Sequence, residues 1–158
     1  MKIGVLGDTH GNIQQLNKAI NMLEDCDKIL HTGDFFHDIE KLEKHLQEKI
    51  TAVAGNCDRQ PGLPAEKILE IHNQKVFLCH GHQYGVKYDF NRLYYRALEV
   101  KADIAVFGHT HIPALVEEKG IYLINPGSAS EPRISGDPTC LRLNLQKPSD
   151  SEFISISS

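Results

Sequence analysis

The sequence predicts an α/β fold in which a largely parallel sheet is covered by helices, with more antiparallel pairing in the second half. Three observations carry this expectation. Short apolar runs recur along the chain, segments with helical spacing separate the early ones, and the later runs succeed one another with little helix between them.

Taken in order, Ile3 to Leu6 is an apolar run of strand length, and Ile13, Leu16, Ile20 and Leu23 then repeat with helical spacing. Ile29 to Leu30 reads as the second strand, Ile39, Leu42 and Leu46 as the stripe of a second helix, and Ile50 to Ala54 as the third strand. Val76 to Cys79 and Ile104 to Phe107 are further strands, with Phe90, Leu93, Ala97 and Val100 marking a helix between them. All five of these runs are apolar enough to be buried on both faces, as central strands of a parallel sheet are. Lys119-Gly120 marks a hairpin joining Ala114 to Glu118 with Ile121 to Ile124. Leu141 to Leu145 alternates as a half-buried strand does, and the tail from Pro148 to Ser158 either adds an edge strand or frays.

With 158 residues, 41% hydrophobic and 24% charged, the chain has an ordinary globular makeup and the size of a single domain spanning 1–158. A formal charge of −4 leaves no basic surplus and no strong nucleic-acid signal. The run from Met1 to Gly7 is too short for a signal peptide or a membrane span, which predicts a cytoplasmic protein with no membrane partner. Cys26, Cys57, Cys79 and Cys140 form no C-x-x-C pair and read as reduced thiols. A homo-oligomer is compatible with all of this.

The chemistry lies in the residues just past the strand ends: Gly7-Asp8-Thr9-His10, Gly33-Asp34, Gly55-Asn56-Cys57-Asp58, His80-Gly81-His82 and Gly108-His109-Thr110-His111. Each piece taken singly has a plain structural reading, as a turn, a helix cap or a hydrogen-bonded histidine. The recurrence of oxygen and imidazole ligands at five strand ends points instead to a metal site, one suited to manganese, iron, zinc, nickel or cobalt. In extended backbone, residues i and i+2 project to one side, which would pair Asp8 with His10 and His109 with His111. Seven ligands exceed what one ion takes while keeping an open position, and two ions sharing a carboxylate, about 3.5 to 4 Å apart, resolve the count.

These motifs, in this order, resemble the signature of the calcineurin-like metallophosphoesterases. Asn125-Pro126-Gly127-Ser128 extends the likeness to the small bacterial and archaeal phosphodiesterase branch, the YfcE-like proteins. The resemblance implies a four-layer α/β/β/α sandwich with mixed sheets. It assigns Asp8, His10 and His111 to one divalent metal, Asn56, His80 and His109 to the other, and Asp34 to both, with manganese the expected ion. It implies hydrolysis of a small phosphate ester, a diester first, by a metal-bridging hydroxide held at Asp34. Where much of that family has a histidine after the asparagine, this chain has Cys57, a poor general acid, so the proton for the leaving group falls to His82, Asp58 or water, and activated esters are expected to be cut best.

The resemblance allows two other functions: a protein-interaction scaffold, as in eukaryotic retromer, where the metal ligands have partly decayed, and a nuclease, which shares the chemistry at the metals. The presence of all seven ligands disfavours the first, because binding alone has no need of so many polar groups at one point. The neutral-to-acidic composition disfavours the second. Outside the signature, His37 and Asp38 follow Asp34 closely enough to neighbour the site, with a helix cap the favoured role for Asp38. Arg92, Arg96 and Tyr84, Tyr88, Tyr94 and Tyr95 cluster around the third helix and either line the pocket or cover the sheet, with packing the favoured reading, and Arg133 reads as either a surface ion pair or a phosphate contact.

Overall fold

In the computed structural model, which describes residues 1–58, 62–133 and 136–156, the first apolar run becomes β1 (Ile3–Leu6), buried along its whole length. It leads to α1 (Ile13–Met22), whose start is fixed by Asn12, the side chain of which accepts a hydrogen bond from the Gln15 backbone at 3.1 Å. The chain continues through β2 (Lys28–His31), a 3-10 turn (Phe36–Lys41), α2 (Lys44–Gln47), β3 (Ile50–Ala52), β4 (Glu66–Ile71) and β5 (Gln74–Cys79). A second 3-10 turn (His82–Tyr84), α3 (Asn91–Glu99), β6 (Ile104–Val106), β7 (Ala114–Glu118), β8 (Ile121–Asn125), β9 (Thr139–Leu143) and β10 (Glu152–Ser155) complete the order.

The strands divide into two five-stranded mixed sheets, ordered β10-β9-β1-β2-β3 and β4-β5-β6-β8-β7. In the first, β1, β2 and β3 are parallel, while β9 and β10 add antiparallel strands at one side. In the second, β5, β6 and β8 are parallel, flanked by antiparallel β4 and β7. Ile3, Val5 and Leu30 of the first sheet meet Val76, Leu78, Ile104 and Val106 of the second in the central core. The outer face of the first sheet packs on Leu16, Ala19 and Ile20 of α1, and that of the second on Leu93 and Ala97 of α3. This is the α/β/β/α layering, and each fully buried leucine or isoleucine in it contributes about 1.5–3 kcal/mol.

Three details differ from the sequence expectation. The βαβα order suggested one largely parallel sheet, but the chain changes sheets between β3 and β4, and apolar runs buried on both faces look alike in either arrangement. β4 carries Glu66, Lys67 and Glu70 among its apolar residues because it is an edge strand, and that mixture hid it. The expected second helix is a 3-10 turn and a single α-turn, separated by Leu42 and Glu43 in extended conformation, and Ile39, Leu42 and Leu46 still reach the outer core. The hairpin stands as read, with Lys119 (φ 48°) and Gly120 (φ 86°) both left-handed, as a tight two-residue turn requires. The tail forms an edge strand at β10, and Ser157 and Ser158 lie outside the described residues.

Candidate metal centre

Parallel strands share a direction, so the loops leaving β1, β2 and β3 and those leaving β5, β6 and β8 collect at one end of the sandwich. The five ligand-bearing loops come after β1, β2, β3, β5 and β6, and the antiparallel β4 and β7 carry none of the candidate ligands. Backbone hydrogen bonds tie these loops together: Asp8 N to Gly33 O at 3.0 Å, Gly108 N to His80 O at 2.9 Å, and Ala129 N to Gly7 O at 3.0 Å.

Two clusters form there. Asp8, His10, Asp34 and His111 bring one ligand atom each within 4.8 Å of one another, and Asp34, His80 and His109 do the same. Asp34 belongs to both, with its Oδ2 3.3 Å from His80 Nε2 and 3.6 Å from His10 Nε2. Asn56 lies on the adjoining turn, exposed, its Nδ2 3.7 Å from Cys57 Sγ, and the backbone N–H of Cys57 reaches Asp34 Oδ1 at 2.9 Å.

The convergence differs from the extended-backbone expectation: Asp8 and His10 share a cluster, but His109 and His111 divide between the two. Asp8 (φ 52°), His10 (φ 47°), Asp34 (φ 61°), His109 (φ 71°) and His111 (φ 60°) are all left-handed, so their side chains converge from tight turns beyond the strand ends. Each such residue costs about 1–3 kcal/mol, and strain of this kind persists where surrounding structure fixes it. The fixing is visible. Gly33 (φ 97°) lies against the next loop so closely that a Cβ there would stand 2.7 Å from Gly55 N, and a Cβ on Gly55 would meet the Asp34 carboxylate.

Side chains outside the two clusters set the orientation of those inside. His80 Nδ1 donates to Thr32 O at 2.9 Å and His111 Nδ1 to Glu131 O at 2.7 Å, which leaves each Nε2 with its lone pair facing the clusters. Asp58 Oδ2 accepts from Asp34 N at 2.9 Å and Gly55 N at 2.7 Å, so Asp58 anchors the Asp34 loop. Ser128 Oγ donates to Asp8 O at 2.8 Å, and Asn125 Nδ2 to Gly108 O at 2.9 Å. Asp38 is buried and accepts from Thr9 Oγ1 at 2.6 Å and Gly11 N at 2.9 Å, so it braces the Asp8–His10 turn and is not the helix cap its position suggested. His31, also buried, accepts from Gly33 N through Nδ1 at 3.0 Å. Asp58 and Asp38 were legible as neighbours of the site, whereas the bonds of Ser128 and Asn125 escaped sequence reading because nothing local marks a long-range hydrogen bond.

Whether these residues fit a cation can be judged from their unmet valences. Asp8 Oδ1 is buried and accepts no hydrogen bond, with His111 Nε2 at 3.5 Å and His10 Nε2 at 4.0 Å. His10 Nε2 faces His111 Nε2 at 3.1 Å, and His80 Nε2 faces His109 Nδ1 at 3.1 Å. Paired lone pairs and a bare carboxylate oxygen repel one another unless a proton or a cation lies among them. The donors are imidazole nitrogen and carboxylate oxygen, a set that suits first-row divalent ions.

The electrostatics agree. Burial alone would raise the Asp34 carboxyl, but the hydrogen bond and charge of His80, the Cys57 N–H and His10 hold it well below the usual carboxylate range. Burial pushes His80 down, and its contacts with Asp34 and Asp8 outweigh this, so it keeps a proton above its ordinary value. His111 is raised against its burial by Asp8, whereas burial with the charges of His80 and Lys87 pushes His109 down to about 4. Cys57 is exposed, its thiol pushed up by residual burial and by Asp34. His82 stands over the centre, its ring centroid 5.3 Å from that of His80, and burial and His80 lower its pKa.

The remaining sequence candidates lie outside the clusters. Arg96 pairs with Glu66, to which the Tyr84 hydroxyl also donates, and together they tie α3 to β4. Tyr94 packs edge-on against Tyr95 at 5.3 Å. Tyr88 does not pack as expected; its side chain is 93% exposed.

Comparison with known proteins matches this architecture. The profile of the calcineurin-like phosphoesterase superfamily domain covers residues 1–148. The probable metallophosphoesterase YsnB of Bacillus subtilis is 34% identical over 147 residues, 92% of this chain and 85% of that protein. The phosphodiesterase MJ0936 of Methanocaldococcus jannaschii is 28% identical over 174 residues, 98% of this chain and 99% of that one. Among solved structures, an archaeal phosphodiesterase superposes with a TM-score of 0.79 at 27% identity, covering 98% of this chain and 99% of its own. With the profile spanning nearly the whole chain and relatives matched end to end, the protein belongs to the calcineurin-like phosphoesterase superfamily, in its small bacterial and archaeal branch.

Proposed function

We propose that residues 1–158 form one metallophosphoesterase domain that hydrolyses small phosphodiesters with two divalent cations. Asp8, His10, Asp34 and His111 hold one cation, and Asp34, Asn56, His80 and His109 hold the other. One observation carries this reading above the rest: Asp34 Oδ2 lies between His80 Nε2 at 3.3 Å and His10 Nε2 at 3.6 Å, the position a shared carboxylate must take. When bound, the two ions make hydroxide available near neutral pH and draw charge from the phosphoryl oxygens.

The chain's own residues prepare that chemistry. Thr32 O and Glu131 O fix the tautomers of His80 and His111, and Asp58 holds the Asp34 backbone so that its carboxylate needs no reorganisation. His82 stands beside His80 and His109 as the side chain that meets the leaving group, but it brings no acidic proton. Its lowered pKa keeps it neutral at pH 7, so esters of good leaving groups are the better substrates. Manganese is the expected ion among manganese, nickel, iron, zinc and cobalt. A cytoplasmic location suits the four cysteines, none of which forms a disulfide. Among the described residues no helix is long and apolar enough to cross a membrane.

The test is to strip the protein with chelator and assay an aryl phosphodiester and its monoester with manganese, nickel, zinc or no metal, beside Asp34→Asn. Metal should restore diester hydrolysis, and the variant should lose at least about a hundredfold in rate, with its metal content falling below two ions per chain. Full metal content and rate in Asp34→Asn would overturn the assignment.

A further inference from the structure

Beside the metal centre lies a recess of about 670 Å³ that the ligand set does not explain. Thr110, the residue between His109 and His111, forms part of its wall, and Arg133, another wall residue, donates its backbone N–H to His111 O at 3.3 Å. The recess therefore adjoins the place where a phosphate would sit. Val86, Phe90 and Ile112 give it apolar surface, while Lys87 and Arg133 supply positive charge. The one acid in the wall, Asp89, is engaged at the start of α3, where its Oδ1 accepts from Asn91 N at 2.9 Å.

Tyr88 stands at this recess with 93% of its surface exposed. Its placement is enforced from both sides. Val86 is buried at 2% exposure, Phe90 packs edge-on against Phe107 with ring centroids 5.0 Å apart, and Tyr88 N donates to Gly85 O at 3.0 Å. Two core anchors thus hold an aromatic ring out in water, next to apolar walls and two cations. An exposed ring beside apolar walls and two cations offers a face on which a planar group can stack.

We propose that this recess receives the second ester group of a phosphodiester and selects an aromatic one, which stacks on the Tyr88 ring while Lys87 and Arg133 attend the phosphate oxygens. The inference rests on the phosphodiesterase reading and deepens it by naming the substrate class: an aryl or nucleoside diester in preference to an alkyl one.

The experiment keeps p-nitrophenolate as the leaving group and varies the other ester between phenyl, methyl and thymidine, using the metal-loaded full chain. The wild type should favour phenyl over methyl in kcat/KM, beyond their difference in uncatalysed hydrolysis. Tyr88→Ala should reduce that preference about tenfold through the phenyl ester alone, and Tyr88→Phe should retain it. A thymidine ester cut faster than the phenyl ester identifies a nucleobase as the occupant, and one cut more slowly identifies a simple aryl group. Equal loss on phenyl and methyl esters in Tyr88→Ala, or no loss on either, overturns the proposal. Calorimetric binding of diphenyl and dimethyl phosphate reads the same preference without turnover. A failure of the dimetal reading, visible in Asp34→Asn, is thereby separated from a failure of the recess.

Discussion

His31 illustrates how one buried side chain couples the centre to the stability of the fold. It is fully enclosed, its Nδ1 accepts from Gly33 N, and burial, only partly offset by Asp8, Asp58 and Asp38, pushes its pKa down to about 4. The neutral form is the one that accepts this hydrogen bond, and the Gly33 loop that it supports carries Asp34. Below the ordinary histidine value of 6.5 the unfolded chain takes up a proton that the folded chain refuses. Stability from this group is therefore complete above about pH 6.5 and declines as pH falls toward 4, by roughly 3 kcal/mol at the lower end. Denaturant unfolding of metal-free protein at steps across that range should show His31→Gln losing less stability on acidification than the wild type. Parallel pH curves for the two would mean that His31 does not carry the effect.

At the scale of elements, the centre is an arrangement of loops after parallel strands, and this explains what could be read from the chain. The strand runs and the ligand motifs were legible because each is local: apolar residues in a run, glycine beside Asp, Asn or His at its end. The sheet change at β4 and the bracing by Asp38 and Ser128 were not, because they depend on contacts between segments far apart in sequence. The i, i+2 reasoning matched Asp8 with His10 but not His109 with His111, which fall in different clusters, and convergence comes from left-handed turns rather than extended strand. The loop after β8 is the clearest of these unread braces. Ser128 Oγ donates to Asp8 O and accepts from Glu131 N at 2.8 Å and Ser130 N at 3.2 Å, and Glu131 O in turn orients His111. Ser128→Ala removes the shorter of the two hydroxyl contacts to the buried Asp8 carbonyl, leaving Ser130 Oγ at 3.1 Å, and loosens two backbone N–H groups, which should destabilise the fold by about 1–3 kcal/mol. Because Asp8 and His111 share one cluster, it should also weaken one ion of the two, so metal analysis after dialysis should fall toward one per chain. Retention of both ions at wild-type affinity would show that the β8 loop does not position that cluster.

On the whole molecule, the two clusters draw ligands from both sheets. Asp8, His10 and Asp34 come after strands of the first, and His80, His109 and His111 after strands of the second. Between the sheets lies an apolar core, and His80 Nδ1 to Thr32 O, His109 N to Asp8 Oδ2 at 3.1 Å and Ser128 Oγ to Asp8 O already hold the loop ends near a set distance. Cations shared across the gap would lock that distance, and they would also neutralise the bare Asp8 oxygen and the facing imidazoles. A ligand that binds only the folded state stabilises by about 2.7 kcal/mol per site at a hundredfold excess over Kd, which for a chain of this size raises Tm by about 5–10 °C. Hydrogen exchange then distinguishes a clamp from a local effect. On adding manganese to chelator-treated protein, amides at Gly33–Asp34 and at Gly108–His111 should gain protection together, although they leave different sheets. If only one set gains protection while Tm still rises, the ion is held by one sheet and the sandwich ends remain uncoupled.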